Sequence, residues 1–267
     1  AVVGASTTPN QGNDFFRFLL NHPFKGTLHP VNPNAEEIEG VTAYPSVEDI
    51  PGPLDYVISA IPATRVLQLI DQCARKGVKV IHFYTARMRE TGLEEGIQLE
   101  EELLRRARAA GIRLIGPNCM GLYYPEEGLT FKPGFPSEPG PVAVISQSGG
   151  NTAQIVNLAA ARGVRFSKVI SYGNATDLNE ADYVDYLAED PETEIIAAYI
   201  EGVTEGRRFF DVLRRTSVNK PVIILKGGRT QAGTKAVASH TASLAGSQEV
   251  WEAMCSQAGA ISVSSMD

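Results

Sequence analysis

The sequence predicts an α/β protein built as two parallel sheets in succession, a Rossmann-like half followed by a flavodoxin-like half. Three observations predict it. Short β-rich runs alternate with helix-period stretches along the whole chain, the signature of parallel strands joined by crossover helices. A proline- and glycine-rich passage, YPEEGLTFKPGFPSEPGP over 124–141, interrupts that alternation once, as a boundary between two units does. The 267 residues suffice for two cores, and 43% apolar with 21% charged residues is the composition of a globular chain.

The elements follow in order. Strands are expected over 1–5, 26–31, 54–61, 78–83 and 112–115, with helices over 13–20, 63–76 and 93–110 between them. These form a first unit over 1–127. After a linker at 128–140, a second unit over 141–267 places strands at 141–146, 166–171, 195–200 and 221–225, giving four strands, again parallel. Its helices are expected over 152–162, 180–189, 205–216 and 248–259. The chain opens inside a strand-like run, AVVGAS, so further residues are expected before it.

Several function classes are disfavoured. The net charge is −7 with no block of like charge, which suits neither nucleic acid nor an anionic membrane surface. No apolar run approaches the length of a membrane span. Cys73, Cys119 and Cys255 are far apart with no CxxC spacing, so a reducing cytoplasm is expected. No HExxH or other metal spacing occurs.

In parallel sheets ligands bind beyond the C-terminal strand ends, so the loops there carry the information. The first, Gly4 to Gly12, leads from strand into helix and can hold a phosphate on its amides, although it is not GxGxxG. The second strand ends at Val31, Asn32 and Pro33, where a nicotinamide enzyme places an acidic residue for the ribose; this lowers that reading. The next ends are Ile61-Pro62, Tyr84-Thr85-Ala86 and Gly116 to Gly121, the last with Asn118 as an amide-binding side chain and Cys119 read as packing rather than nucleophile. In the second half, Ser146 to Asn151 opens a helix with small residues, a phosphate cradle made of Ser148, Gly149, Gly150 and Asn151. Tyr172-Gly173-Asn174-Ala175 ends the next strand, Glu201-Gly202 the third and Lys226-Gly227-Gly228-Arg229 the fourth, and these loops are expected to converge at one edge of the sheet.

His22, His29 and His82 read as structural, His82 as a satisfied core residue. His240 differs. It lies in GTKAVASHTASLAGS, 233–247, where small neighbours leave an imidazole open to a ligand. Glu201 is its natural carboxylate partner, fixing the tautomer and raising basicity. A bland surface loop is the competing reading of this stretch.

Taken together, GAS…QG, PVNP, AIPA, GPNCMG, VAVISQSGG, SYGNATDLNEADYVDYLAEDPET, YIEG, KPVIILKGGRTQAGTKA and SHTASLAGS resemble the α subunit or α-like part of ADP-forming (NDP-forming) acyl-CoA synthetases, in the succinyl-CoA synthetase superfamily. The resemblance spans nearly the whole chain. It implies a CoA site lined by Gly4, Ser6, Gln11, Gly12, Val31, Asn32, Pro33, Ile61, Pro62, Tyr84, Thr85, Ala86, Asn118 and Cys119. It implies that His240 is phosphorylated, that Glu201 holds it, and that Ser148 to Asn151 stabilise the phosphoryl group. Acyl-CoA and phosphate would give an acyl phosphate and CoA, and phosphohistidine would pass its group to ADP. The implied partners are a small carboxylic acid and an ATP-grasp β subunit or fused domain that binds ADP/ATP with Mg2+, in a hetero- or homo-oligomer. The alternative is a non-catalytic CoA-binding regulatory module, such as occurs fused to acetyltransferases.

This sequence departs from the family at three places. Arg87 stands where relatives commonly have glycine, which narrows the CoA or acyl entrance and disfavours acetate. Met120 replaces the proline common in succinyl-CoA synthetases, and His240 sits in SHT rather than their GHA-type context; both point away from succinate.

Overall fold

A computed structural model describes residues 1–228 and 248–266. In the first half, β1 (Val2–Val3), β2 (Pro30–Val31), β5 (Tyr56–Ser59), β6 (Val80–Phe83) and β7 (Arg113–Ile115) form one parallel sheet in the order β2-β1-β5-β6-β7. Helices α1 (Gln11–Leu20), α2 (Val66–Lys76) and α3 (Glu94–Ala109) make the crossovers. A small antiparallel hairpin, β3 (Glu37–Ile38) and β4 (Val41–Thr42), lies between β2 and β5 and was not expected from the sequence. The chain steps from β1 to β2 on one side and returns to β5 on the other, so the crevice between β1 and β5 is where a ligand enters such a sheet.

The second sheet has six strands rather than four, in the order β13-β12-β11-β9-β10-β8. Its centre is β9 (Pro139–Ser146), β10 (Phe166–Ser171), β11 (Ile195–Ile200) and β12 (Val222–Lys226), all parallel. Helices α4 (Gly149–Ala161), α5 (Glu180–Glu189), α6 (Gly206–Thr216) and α7 (Gln248–Ala258) connect or flank them. The two additional strands are edges. β13 (Ile261–Val263) is three residues long and half exposed, too short to show alternation. β8 (Gly121–Tyr123) runs antiparallel to β10 and lies in a segment read as loop, because Pro117 and Gly121 mask its start. The second switch point falls between β9 and β11, where the order reverses again.

Expected helices lie within a few residues of their observed ends. The first begins at Gln11 because Asn10 caps it, its side-chain oxygen accepting the Asn13 N–H at 2.7 Å. In the first half the expected strands are longer than those formed; residues 26–29 stay outside the sheet, and Pro30–Val31 alone pairs with β1 on that side, whereas β10 and β11 match their expected bounds.

One apolar core belongs to both halves. Val2, Phe15 and Phe16 from the first unit cluster with Tyr123, Phe131, Phe135, Val144 and Phe166. The Tyr123 ring stands 4.9 Å from Phe135 and 6.1 Å from Phe166. Across the junction Asp177 accepts from Arg113 at 2.8 Å and from the Leu114 N–H at 3.0 Å. No helix among the described residues is long and apolar enough to cross a membrane.

Candidate active site

The two switch points open on neighbouring cavities. A pocket of about 330 Å³ sits at the β1/β5 crevice, lined by Gly4, Val31, Asn32, Pro33, Ile61 and Pro62. A cleft of about 390 Å³ lies between the halves. Tyr84, Ala86, Asn118 and Cys119 form one wall; Ser148, Gly149, Gly150 and Glu201 form the other.

The first pocket is shaped by close backbone approach. A Cβ on Gly12 would stand 2.2 Å from the Gly4 carbonyl oxygen, and one on Gly4 would stand 2.6 Å from the Ala60 carbonyl oxygen. Only glycine permits both, and Gly4 has a φ of +97°. Asn32 closes the loop by donating to the Ala5 carbonyl at 2.7 Å. Arg65, Gln68 and Gln72 from the α2 region also line this pocket, supplying a cation and amides that sequence reading did not single out.

Three expected residues are placed as supports. Ser6 folds on its own loop, its Oγ accepting the Thr8 N–H at 3.1 Å. Thr85 is buried and donates to the Ile61 carbonyl at 2.8 Å, tying two strand ends together. Gln11 accepts from the Tyr84 hydroxyl at 3.2 Å and so links α1 to the cleft wall. Cys119 lies in the wall but is buried, with its thiol pushed up by desolvation, so it is no thiolate nucleophile. His82 is buried beneath it. Its Nε2–H donates to the Cys119 carbonyl at 2.9 Å, and burial lowers its pKa to about 4, so it is a neutral core residue.

The opposite wall is a helix start. Ser148 caps α4, its Oγ accepting the Asn151 N–H at 3.3 Å. The first amides of a helix have no intrahelical acceptor, and those of Gly149 and Gly150 lie at the cleft. Together with the helix dipole they make a site for an anion. Asn151 is not part of the lining; it is a hydrogen-bond partner of the Tyr199 hydroxyl, which also bonds Glu201. Burial and the Glu201 charge push that hydroxyl up to about 12.

Glu201 follows β11 at the second switch point and is only 9% exposed. Gln147, between Ser146 and Ser148, holds it there. The Gln147 Oε1 accepts from the backbone N–H of Glu201 and, at 3.0 Å, from that of Gly202, while Nε2 donates to the Gly202 carbonyl at 3.1 Å. Lys226 is buried on the neighbouring strand, paired in register with Ile200. Its Nζ donates to the carbonyls of Glu201 and Gly227 at 2.6 Å each and sits 5.7 Å from the Trp251 ring. Burial lowers its pKa, and the Glu201 carboxylate works against that shift. A Cβ on Gly227 would meet Glu201 Cγ at 3.1 Å, so that glycine makes room for the carboxylate. His240 and Arg229 lie outside the described residues.

Met120, Gln147, Gly173 and Asn174 complete the cleft; the last three lie in strand-end loops expected to converge here, although none of the four was given a site role from sequence. Four non-glycine residues among those described have positive φ, and three of them, Arg87 (+72°), Asn118 (+59°) and Ala175 (+56°), lie in the loops around this cleft. Strained backbone gathers where a fold holds a functional surface.

Comparison with known proteins agrees with this geometry. Residues 1–125 match a CoA binding domain family, and residues 139–267 match the succinyl-CoA ligase like flavodoxin domain. The ADP-forming succinate–CoA ligase subunit alpha 2 of Archaeoglobus fulgidus is 30% identical over 240 residues, covering 86% of this chain and 79% of that protein. The chain belongs to the succinyl-CoA synthetase superfamily, as an α part. Within the family, the subunit alpha of the ADP-forming acetate–CoA ligase II of Pyrococcus furiosus is 43% identical over 268 residues. All of this chain aligns there, but it spans only 58% of that subunit. A solved family structure, the dinucleotide forming acetyl-coenzyme A synthetase 1 of Ca. Korarchaeum cryptofilum in complex with phosphate and ADP, superposes with a TM-score of 0.90. It is 40% identical, and the match covers 99% of this chain and 57% of that one.

Proposed function

We propose that this chain is the α part of an NDP-forming acyl-CoA synthetase, which interconverts acyl-CoA, ADP and phosphate with a carboxylic acid, CoA and ATP. The observation that carries the reading is the cleft in which the CoA-side strand ends face an open helix N-terminus and Glu201. Residues 1–127 act as the CoA half and 141–267 as the phosphoryl half. The pocket at Gly4, Asn32 and Pro62 suits the nucleotide portion of CoA, with Arg65 available for its phosphates. Pantetheine then runs past Gln11 and Tyr84 into the cleft, bringing the thioester to Ala86 and Asn118.

Phosphate held on the Gly149 and Gly150 amides attacks the thioester carbon. A C–O bond forms, the C–S bond breaks, and CoA leaves as a thiolate that is then protonated. An imidazole nitrogen of His240 next attacks the acyl phosphate; an N–P bond forms and the carboxylate leaves. Glu201 orients that imidazole and balances its charge, a role supported by its rigid seat between Gln147 and Lys226. The helix N-terminus offsets the charge on the transferring phosphoryl group. ADP accepts that group on an ATP-grasp partner, where Mg2+ supplies charge neutralisation. The small carboxylic acid is released between the parts. Three buried free cysteines suit a reducing cytoplasm.

The test is phosphorylation of His240. The natural-length protein with its ATP-grasp part is incubated with Mg-ATP, beside a His240→Asn variant, and read by intact mass under mildly alkaline conditions. An acid-labile phosphoryl group on the wild type alone is expected. Its absence from both proteins, with CoA still bound tightly, overturns the reading in favour of a CoA-sensing module.

A further inference from the structure

Asn174, in the loop after β10, lines the cleft and is also a junction between the halves. Its side-chain Nδ2 donates to Glu90 at 2.7 Å and to Glu100 at 3.0 Å. Its Oδ1 accepts from Asn118 at 3.4 Å, and its backbone N–H donates to the Pro117 carbonyl at 3.0 Å. All four partners come from the CoA half, and all sit in or beside the loops that build the Ala86–Asn118 wall.

Glu100 is the anchor of this network. It projects from α3 and is 1% exposed. Besides Asn174 it accepts from the Thr176 hydroxyl at 2.5 Å and from the backbone N–H and Nε of Arg89, each at 3.2 Å. Glu90 in turn accepts the backbone N–H groups of Arg87 and Met88. The two carboxylates therefore hold the loop that begins at Ala86, including the left-handed turn at Arg87, against the loop that carries Gly173 and Asn174. Gly173 lies so close that a Cβ there would stand 2.2 Å from the Pro117 carbonyl oxygen.

Burying a carboxylate is costly unless several donors reach it. Here the donors converge from both halves at the rim of the cleft. They are not needed merely to join the halves, because the shared core around Tyr123 and Phe166 and the Arg113–Asp177 pair already do that. What this network adds is a polar tie between the CoA-side wall and the loop after β10, which shares the cleft with the helix start at Gly149.

We propose that Asn174, clamped by Glu90 and Glu100, is a positioning residue that sets the gap across which a CoA thioester meets phosphate. The assignment rests on the function proposed above, and it divides the reaction in two. Acyl transfer between CoA and phosphate needs both walls in register. Phosphoryl exchange between His240 and the nucleotide needs only the second half and the ATP-grasp partner.

Asn174→Ala and Glu100→Gln, made in the natural-length protein with its ATP-grasp part, test this. The KM for acyl-CoA should stay within about threefold of wild type while kcat for the acyl-CoA-driven reaction falls about 30- to 100-fold, the usual consequence of a misplacement near 1 Å. Phosphorylation of His240 from ATP should stay within about threefold of wild type, because only the acyl half is misaligned. If both half-reactions fall together, or neither falls, the assignment is wrong. Should Glu100→Gln not fold, Glu90→Gln, at a half-exposed site, replaces it.

A second readout needs CoA binding only. In wild type, CoA should increase amide-exchange protection at 173–176 as well as at 84–91, and Asn174→Ala should abolish the increase at 173–176. Protection that never reaches 173–176 in wild type overturns the clamp. Protection that does reach it, in a protein that never forms phosphohistidine, leaves the clamp standing and removes the proposed function.

Discussion

Replacing Gly12 with alanine places a methyl group where backbone already stands. The new Cβ would lie 2.2 Å from the Gly4 oxygen, 2.5 Å from the Gly4 carbon and 2.9 Å from the Ala5 nitrogen. Comfortable carbon contacts begin near 3.5 Å, so the site is short by roughly 1 Å, and none of the three atoms is the end of a flexible side chain. The β1–α1 loop must open. Gly4 is itself held by Val31 at 3.1 Å and by Asn10 at 3.3 Å, so opening strains those bonds as well. Overpacking of this kind costs about 2–3 kcal/mol, which lowers the melting temperature by about 4–10 °C in a chain of this size. The same displacement moves the start of α1 and the Gln11–Tyr84 bond, so CoA should bind at least about tenfold more weakly, or 1.4 kcal/mol. Calorimetric titration with CoA and thermal melting with and without it measure both effects. Gly150→Ala is the control, because a Cβ there meets nothing within 4 Å and its melting temperature should hold or rise. A Gly12→Ala protein that melts within a degree of wild type and binds CoA equally well would refute the argument that this backbone contact shapes the pocket.

Two further outcomes follow from single residues. Burial raises the Glu180 carboxyl from 4.5 to about 7. The folded chain therefore keeps a proton that the unfolded chain loses, and this contribution is full below pH 4.5 and lost as pH rises through about 7. It amounts to about 3 kcal/mol. Glu180→Gln should flatten that slope and be the more stable protein at pH 8, as urea unfolding at pH 5 and pH 8 will show. Arg87→Gly should relieve the left-handed strain and stabilise by roughly 0.5–1 kcal/mol, read as a small rise in melting temperature. If Arg87 narrows the entrance, the same change should lower KM for bulkier acyl-CoA substrates; an unchanged KM excludes that role.

Much of the fold was legible because strand–helix alternation is a periodic signal, and the long helices and central strands carry it strongly. The edges were not. β8 and β13 are three residues each and take their conformation from the strand they pair with, which is a tertiary effect. The walls of the cleft were legible wherever a strand end carried small residues, as at Gly149 and Gly150, or a lone acid, as at Glu201. Gln147 and Asn174 sat in strand-end loops expected at the site, but the role of each was hidden for a common reason. Each acts by hydrogen bonds to residues more than fifty positions away, and no local pattern marks such a partner. Thr85 illustrates the converse: its place at a strand end suggested ligand contact, but its hydroxyl is spent on the Ile61 carbonyl. Lys226 could not be read as exposed or buried from its neighbours, and only the register with Ile200 puts it beneath Glu201.

The core shared by the two halves has a consequence for anyone exchanging parts between relatives. The visible seam, the proline- and glycine-rich passage, is not where the molecule comes apart. Tyr123, Phe131 and Phe135 precede or lie within that passage, yet they pack against Phe166 and Val144 of the second sheet. A chimera cut at that passage would set a foreign Tyr123 against a native Phe166. The segment from β8 to Phe135 should therefore travel with the second half, and the faces of Phe15 and Phe16 that meet it should be matched in the donor. Domain shuffling in this family is constrained less by the two sites than by the apolar plug between them.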